Sequence, residues 1–468
     1  MVTVISKCTV KAEPPPMLLA NKKCHLTPWD LAMLSPQYIQ KGHLFTNLPP
    51  TLSIDDIISN LKTSLSSTLH HFYPLAGRLA TQHEVDNDGN ITGTFVFIDC
   101  NNEGAEFVQA DAQSISVEDV LAPFSDVPAF VQSFFPYDGA TNHDGHSIPL
   151  VALQLTVLAD GVFLGCSFNH VVGDGTSFWH FFTTWAEICR SKNINVIPSR
   201  PPVHDRCFLD GAKPPLKLPF THESQFIERY SPPPLRQKMF HFSSETISKL
   251  KAKANKERGS TNKISSFQSL SALMWRCITR ARRFPAEQVT SCRVAIQNRA
   301  RLQPSQSPNY FGNSIYSLRI TATAGELLEN DFGWAAWVIH EGVLSHTNDV
   351  IRGMVKKWVE APVVYRLSMF DDFSVVMGSS PRFDMYGCDF GWGKAVALRS
   401  GSANKSDGKV SSYPGWEGGG SVDLEVCLPP KSMAALEADP EFLAAVSPFV
   451  SLKMISIIVS AAFPFQTS

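Results

Sequence analysis

The residues best suited to chemistry are His170 and Asp174, four positions apart in the segment NHVVGDGT (residues 169–176). An imidazole with an ordinary pKa near ~6.5 can act as a general base at neutral pH. The segment follows an apolar run and precedes a helical pattern, so the ring of His170 can point into a cleft from a rigid support. Asp174 can orient that ring or pair with an arginine, and we favour the arginine because the loop turns away from the ring's other nitrogen. A buried histidine beside an Asp-capped helix would give the same pattern.

A second candidate segment is DFGWGK (residues 389–394), which begins with Asp389. Its two glycines bracket Trp392, so the backbone can approach a ligand closely and the indole N–H can donate a hydrogen bond. A plain turn with Trp392 filling the core explains this pattern equally well.

Two strands and a helix must position the histidine. Residues 151–158 alternate at period two, Asp160-Gly161 is a tight turn, and residues 162–168 return as a second strand. Residues 177–190 carry aromatic side chains on one helical face and predict a helix after the loop. Upstream, residues 53–71 predict a helix with Ser53 as its cap and acidic residues in its first turn.

The second half of the chain repeats this mixture of elements. Helices are predicted over residues 244–256 and 265–280, and strands over 294–296, 314–322, 394–398 and 421–428. Residues 196–220 are rich in proline and lack periodicity, which is typical of a crossover linker. We therefore expect an N-terminal domain over residues 1–195, a linker over 196–222 and a C-terminal domain over 223–468. The fold class is α/β or α+β in two lobes, and the pattern alone does not choose the topology.

Length, charge and cysteine usage exclude several classes of protein. The chain has 468 residues, 44% hydrophobic and 18% charged, which predicts a folded protein of two-domain size. Its 41 Lys+Arg against 43 Asp+Glu give a net charge of −2, which argues against a nucleic-acid binder. The 10 cysteines are scattered singly, so we expect reduced thiols and no zinc site. The N-terminus lacks a secretory signal and the apolar stretch over residues 454–465 falls short of the ~20 residues of a membrane span, so the predicted location is cytoplasmic.

Taken in order, these segments resemble the plant BAHD acyltransferases, the HxxxD-type CoA-dependent acyltransferases. Besides the two segments above, the resemblance rests on FYPLAGRL (72–79), SFQSL (266–270) with Trp275-Arg276, RARL (299–302), YFGN (310–313) and SSPRF (379–383). It spans nearly the whole length of the chain. There are two departures from the family pattern, since Gln297 stands where many relatives have Asp and Ser314 where Cys or Ala is common.

The resemblance implies two similar domains of the chloramphenicol acetyltransferase type, each a mixed sheet flanked by helices, with a solvent channel between them. His170 would deprotonate an alcohol or amine acceptor, which then attacks an acyl-CoA thioester without an acyl-enzyme, in plant specialised metabolism. The Trp392 indole N–H would stabilise the oxyanion, Asp389 would support the channel wall, and Asp174 would pair with Arg299. Acyl-CoA and a small-molecule acceptor are the implied partners. No metal or permanently bound cofactor is implied, and a monomer is expected.

CoA carries phosphates, so its site should offer hydroxyls, amides and a cation. Lys263, Ser265 and Ser266 fit this requirement at a predicted helix start, because helix N-termini attract phosphate. Ser380, Arg382 and the loop over residues 400–409 are further candidates. A solvated surface charge or a helix cap explains each of these residues as well.

Three other functions could use the same cleft. A lyase would use the base for an elimination without CoA, a non-catalytic regulator would only bind there, and a condensation domain would acylate carrier-bound substrates. The intact His170 and Trp392 argue against the regulator, and Asn169 stands where condensation domains have a second histidine. His143 and His146 lack a third metal ligand nearby, and no G-x-S-x-G, P-loop or G-x-G-x-x-G motif is present. Fold and site chemistry do not determine the acyl donor or the acceptor.

Overall fold

The structure is a computed structural model that describes residues 1–13, 22–46, 48, 52–122, 125–193, 196–209 and 211–448. The strands in this part of the chain are β1 (Thr3–Val10), β2 (Lys23–His25), β3 (Ile39–Phe45), β4 (Arg78–Val85), β5 (Ile91–Asp99), β6 (Ala105–Ala112), β7 (Val151–Leu158), β8 (Val162–Phe168), β9 (Arg236–Phe242), β10 (Val289–Gln297), β11 (Ile315–Thr323), β12 (Ser374–Gly378), β13 (Ala397–Ser400), β14 (Lys409–Pro414) and β15 (Val422–Leu428). The helices are α1 (Pro28–Leu31), α2 (Ile54–His71), α3 (Val117–Leu121), α4 (Gly175–Ser191), α5 (Ser244–Glu257), α6 (Ser266–Arg282), α7 (Ala324–Glu329), α8 (Phe332–Ser345), α9 (Asn348–Glu360), α10 (Pro430–Glu437) and α11 (Pro440–Leu443).

The strands form two mixed six-stranded sheets and one small antiparallel sheet. The first sheet has the order β1-β6-β7-β8-β3-β13, with β6 and β7 parallel and the other neighbours antiparallel. The second has the order β11-β10-β12-β14-β15-β9, with β12 parallel to both β10 and β14. The small sheet is β2-β5-β4. Two mixed sheets that each pack against helices confirm the predicted fold class.

Each six-stranded sheet is covered by helices through its own apolar cluster. In the first domain, α2 and α4 pack on each other and on the buried side chains of β7 and β8. In the second domain, α5, α6 and α8 pack together over β10, β12, β14 and β15. Trp185 and Trp275, both fully buried, lie in the first and second cluster respectively. Among the described residues, no helix is long and apolar enough to cross a lipid bilayer.

The elements around His170 form where the sequence predicts them. β7 and β8 span the predicted residues without change. α4 begins two residues before the prediction, at Gly175, because Asp174 is its N-cap. Ser53 and Ser265 cap α2 and α6, and in each case a side chain three residues later completes a reciprocal capping box.

β13 departs from the predicted domain division. Its residues come from the C-terminal half of the chain, yet they pair antiparallel with β3, with Leu398 opposite His43. The strand predicted over residues 394–398 therefore begins later and belongs to the first sheet. β10 also extends well beyond the predicted residues 294–296. The predicted domain ends at residues 195 and 468, and the apolar stretch over 454–465, lie outside the described residues.

The predicted linker over residues 196–222 holds no helix or strand among its described residues. It is nevertheless bound to both domains, because isolated bridges join Leu218 to Thr94 and Val203 to Tyr310. The side chain of Arg206, in the same segment, is 5% exposed and pairs with Asp30. The linker is therefore part of the domain interface as well as a connection.

Candidate active site

His170 follows β8 directly, in the loop that leads to α4. Its backbone N–H donates to Asn142 Oδ1 at 2.8 Å, and Asn169 Nδ2 donates to the Asn142 carbonyl at 2.7 Å. Both asparagines are fully buried, whereas His170 is only half-buried. The loop is therefore held rigidly at the end of a strand, while part of the His170 surface remains accessible, as a general base requires.

Asn313, which precedes β11 of the second domain, determines which ring nitrogen of His170 carries the proton. His170 Nδ1 lies 3.1 Å from Asn313 Oδ1. Asn313 Nδ2 donates to Asp30 Oδ1 at 2.9 Å and to the His170 carbonyl at 2.7 Å, so the amide oxygen must be the atom that faces the ring. An amide oxygen only accepts hydrogen bonds, so Nδ1 is the protonated nitrogen. The lone pair of the neutral ring is then on Nε2, which is the basic atom.

A buried ion pair holds Asn313 from the side opposite to His170. Asp30, in α1, is fully buried, and its Oδ1 also accepts from the Asn313 N–H at 3.0 Å and from Arg206 Nη1 at 3.2 Å. Its Oδ2 accepts from the Thr27 N–H at 2.9 Å and from the Thr27 hydroxyl at 2.8 Å. Arg206 in turn donates to the Val172 carbonyl, in the loop after His170, at 3.0 Å.

Sequence reasoning missed these side chains that support His170. Asn313 appears there only as the last letter of a family motif, and Arg206 lies in a segment without periodicity. Thr27 and Asp30 form a capping box at the start of α1, a pattern visible in their spacing, but that spacing gives no sign of a link to His170.

Burial is the main reason that the pKa of His170 lies below its ordinary value. The Lys409 ammonium lowers this pKa further, whereas Asp174 and the hydrogen bond to Asn313 act in the opposite direction. A depressed pKa keeps the imidazole neutral at physiological pH. The arrangement thus provides a neutral ring whose Nε2 can accept a proton.

Asp174 pairs with Arg299, which confirms the predicted partner. Its Oδ2 lies 2.7 Å from Arg299 Nη1 and its Oδ1 3.0 Å from Nη2, and both side chains are buried. Oδ1 also accepts from the Ser177 N–H at 3.1 Å, as the N-cap of α4, and Oδ2 accepts from the Ser314 N–H at 3.0 Å. Burial alone would raise the pKa of Asp174, but Arg299 and these N–H groups hold it below its ordinary value. The pair therefore ties the first domain to the second beside the His170 loop.

The two departures from the family pattern leave this pair intact. Gln297 ends β10 with an exposed side chain, and Ser314 contacts Asp174 through a backbone N–H that almost any residue could supply. Gly312 has a stricter requirement. A Cβ atom at this position would lie 2.2 Å from Arg206 Nη1, so only glycine allows the guanidinium to pass.

The segment that begins with Asp389 forms a turn against the first domain. Asp389 Oδ1 accepts from the Gly391 N–H at 2.8 Å and from the Gly393 N–H at 2.9 Å, and both glycines have positive φ. Arg190, in the last turn of α4, lies 3.6 Å from Asp389 Oδ2. Asp389 thus shapes the turn and anchors it to α4, in keeping with a supporting role.

Trp392 lies too far from His170 to stabilise an oxyanion there. Its ring packs edge-on against Phe45, with 5.3 Å between centroids. Phe45 pairs with Val162 at the start of β8, whereas His170 comes after the end of that strand. The strand between them is about 20 Å long, while an oxyanion donor must lie within ~3 Å of the substrate oxygen. This separation contradicts the predicted role of the indole, and Trp392 instead packs against the apolar core.

The candidate CoA contacts form two groups. Ser265 is the N-cap of α6, Ser266 is its first residue, and Lys263 is exposed just before them. Ser380 and Arg382 lie in the turn after β12, where Ser380 Oγ accepts from the Arg382 N–H at 3.3 Å. The capping box occupies the backbone N–H groups of Ser265 and Gln268, so the Ser266 N–H beside the Lys263 cation is the group that suits a phosphate. No hydrogen bond joins the two groups within the part of the chain that the structure describes.

Comparison with known proteins gives a consistent result. Residues 1–443 match the family described as the Transferase family. An uncharacterised acetyltransferase of Arabidopsis thaliana is 40% identical over 428 residues, which cover 90% of this chain and 94% of that protein. The BAHD acyltransferase DCR, also of Arabidopsis thaliana, is 36% identical over 464 residues, covering 94% of this chain and 92% of the relative. The crystal structure of F. graminearum TRI101 complexed with coenzyme A and deoxynivalenol has a similar fold, with a TM-score of 0.72 at 19% identity over 91% of this chain and 99% of that one.

Proposed function

Because this chain belongs to the Transferase family and is similar to a BAHD acyltransferase, we propose that it is an acyl-CoA-dependent acyltransferase. It transfers an acyl group from acyl-CoA to a small-molecule alcohol or amine, with His170 as the general base. Acyl-CoA serves as a co-substrate, and the acceptor attacks it directly without an acyl-enzyme. The reaction belongs to plant specialised metabolism.

The proton follows a closed path through Nε2 of His170. The acceptor O–H or N–H first donates to Nε2. As the oxygen or nitrogen attacks the thioester carbonyl, Nε2 takes the proton and the imidazole becomes cationic. The tetrahedral intermediate then collapses, the C–S bond breaks, and Nε2 returns the proton to the CoA thiolate. The acceptor has lost one proton and CoA has gained one, so the enzyme ends in its starting state.

The observation that carries this proposal is the hydrogen bond of 3.1 Å between His170 Nδ1 and Asn313 Oδ1. It keeps the proton on Nδ1, so that the acceptor meets a free lone pair on Nε2. Asn313 is uncharged, so it orients the ring without adding the negative charge that would raise the pKa of His170 strongly. When the ring becomes cationic, Nδ1 keeps its hydrogen bond.

For the CoA phosphates we infer two contact regions. Ser265 would offer its hydroxyl, Ser266 its hydroxyl and backbone N–H at the start of α6, and Lys263 would add a cation. Ser380 and Arg382 would provide a second hydroxyl and cation after β12. We also propose that the protein acts as a monomer.

The test is an assay of free CoA thiol with a panel of acyl-CoAs against phenols, alcohols and amines, with the products identified by mass. We expect one acylated product for each CoA released. His170→Ala should lower the rate by ~10²–10⁴-fold, the size of a general-base contribution. His83→Ala is the matched control, because His83 is exposed on β4 in the small sheet.

Two outcomes would contradict the proposal. If acyl transfer persists at an unchanged rate in His170→Ala, His170 is not the general base. Turnover of a substrate without any CoA would indicate an elimination instead.

A further inference from the structure

The face of the second sheet that points away from its helices carries charged side chains. On β14 and β15, Val410 and Val426 pack into the helix-side cluster. Lys409, Tyr413 and Glu425 therefore point to the opposite face, because side chains alternate along a strand. Tyr413 packs into the apolar cluster of the first domain instead. This charged face thus lies against the first domain.

Three lysine ammoniums lie around one carboxylate on this face, and only Lys405 contacts it directly. Glu425 accepts from Lys405 and from a serine hydroxyl of β13, and its Oε2 also accepts from the Tyr413 hydroxyl at 2.9 Å. Lys41, on β3 of the first sheet, reaches across and donates to the Tyr413 oxygen at 2.8 Å. Lys409 is the third lysine. We call Lys41, Lys405, Lys409, Tyr413 and Glu425 the lysine cluster.

The positive charge of the lysine cluster is not balanced. The pKa of Lys41 is lowered to about 7, mainly by burial. The positive charges of Lys405 and Lys409 also lower this pKa, whereas the Glu425 carboxylate raises it. Burial likewise lowers the pKa of Lys409, whereas Glu425 raises that of Lys405 despite its burial. Glu425 thus neutralises the charge of Lys405 only. A further anion would stabilise the charged forms of the other two lysines.

The Lys409 side chain extends toward the end of the second sheet that faces the His170 loop of the first domain. β12 runs parallel to β10, so Gly378 at the end of β12 is at the same edge as Arg299, which follows β10. Lys409 pairs with Val376, and its Nζ lies 2.5 Å from the point that a Cβ on Gly378 would occupy. The ammonium is close enough to lower the pKa of His170. Within the described residues, Lys409 Nζ forms no hydrogen bond or ion pair.

We propose that Lys409, supported by Lys41, binds a carboxylate group of one substrate while the reacting group of that substrate lies at His170. This inference rests on the proposed acyl transfer. The carboxylate belongs either to a dicarboxylic acyl group on CoA or to a hydroxy or amino acid that serves as acceptor. In both cases a carboxylate meets the Lys409 ammonium. The two cases differ only in whether the acyl donor or the acceptor carries that carboxylate.

The experiment compares equilibrium binding of charged and neutral partners by calorimetry. One pair is succinyl-CoA against butanoyl-CoA, and the other is hydroxyphenylacetate against its methyl ester. We expect the carboxylate member of one pair to bind wild-type protein ~10-fold or more tightly than its neutral counterpart, as a charge-assisted hydrogen bond would give. The pair that shows this preference identifies the source. Lys409→Met should abolish the preference and Lys41→Met should weaken it, while Lys409→Arg should retain it.

Lys249→Met is the matched control, because Lys249 is an exposed lysine on α5. It should leave the ratio of the two affinities unchanged. The inference is overturned if wild-type protein prefers neither carboxylate, or if the preference survives Lys409→Met. The proposed acyl transfer is judged separately by CoA release, so a carboxylate preference without any CoA release would contradict the function and leave the binding site standing.

Discussion

In the proposed mechanism, the two ring nitrogens of His170 have separate tasks, and the hydrogen bond from Nδ1 to Asn313 determines which nitrogen acts as the base. Asn313→Ala removes the acceptor for Nδ1–H, so the ring can rotate and the proton can move to Nε2. We expect kcat to fall by ~10–100-fold, a part of the full general-base contribution, with a smaller change in KM for acyl-CoA. Steady-state kinetics with one alcohol acceptor measure both parameters.

Asn313 also bonds to Asp30, so a loss of stability must be separated from a loss of positioning. Thermal unfolding of Asn313→Ala identifies a temperature at which the variant is fully folded, and the kinetics are measured there. Asn309→Ala serves as the control, because Asn309 contacts Arg200 outside the site. An unchanged kcat in folded Asn313→Ala would show that the amide does not position the base.

The pH dependence of the reaction follows from the environment of His170. Its folded pKa is depressed, chiefly by burial and further by Lys409, while Asp174 and Asn313 oppose the shift. The base is active when unprotonated, so kcat/KM should stay constant as pH falls toward ~6.5 and decline only below that ordinary value. Lys409→Met removes a nearby positive charge, so it should move the decline to higher pH. A profile with an alcohol acceptor measures this, and a decline that stays in place would contradict the proximity of Lys409.

At the level of elements, Asp174 both caps α4 and pairs with Arg299, and one substitution separates these roles. Asn is also a good N-cap, so Asp174→Asn keeps the cap while it leaves the buried Arg299 without an anionic partner, held only by neutral acceptors such as the Gly312 carbonyl at 2.9 Å. We expect a loss of about 3 kcal/mol in the free energy of unfolding. The folded pKa of Asp174 is depressed, so its contribution is present above ~4 and lost as pH falls below it.

Denaturant unfolding of wild type and Asp174→Asn at neutral and acidic pH measures this difference. Asp331→Asn is the matched control, because Asp331 caps α8 and forms no ion pair among the described residues. It should change the stability by less than ~0.5 kcal/mol. An equal, small effect of both substitutions would mean that the buried pair contributes little.

The elements next to His170 were predictable because their signals are local. β7 and β8 are apolar runs joined through Asp160-Gly161, and α6 starts at a Ser265 capping box, so each pattern lies within a few residues. The spacing of His170 and Asp174 singled out both residues in the same way, and the structure places them together between β8 and α4. The contact of Asn313 with His170 joins residues 143 positions apart, and no local pattern encodes such a contact.

At the scale of the whole molecule, the unpredicted features are those that join the two domains. β13 enters the first sheet from the second half of the chain, where it pairs with β3 and forms a short edge strand. Its four residues carry no signal for that partner. Arg206 likewise enters the site from a proline-rich segment. The sequence therefore predicts two domains that each combine a mixed sheet with helices. The strand and the ion pairs that join these domains are not predictable from local patterns, because they form between residues far apart in the chain.

These shared features predict that the two domains unfold together. β13 pairs with β3, Lys41 bonds to Tyr413 at 2.8 Å, and Asp174 pairs with Arg299, so unfolding one domain would leave buried charges of the other unpaired. We expect one transition in denaturant, with coincident midpoints by far-ultraviolet circular dichroism and tryptophan fluorescence. Two separate transitions in the wild-type protein would contradict this coupling.

Leu398→Pro tests the contribution of the shared strand. The Val396 N–H donates to the Leu44 carbonyl of β3. Backbone N–H groups two residues apart on a strand point to the same side, so the Leu398 N–H also faces β3. Proline removes that donor and should detach β13, which would lower the stability of the first domain and separate the two midpoints. Leu398→Ala keeps the N–H and loses only the side chain, so it should shift both midpoints together. If Leu398→Pro also leaves the midpoints coincident, the coupling is carried by the buried ion pairs and the strand contributes only to the first sheet.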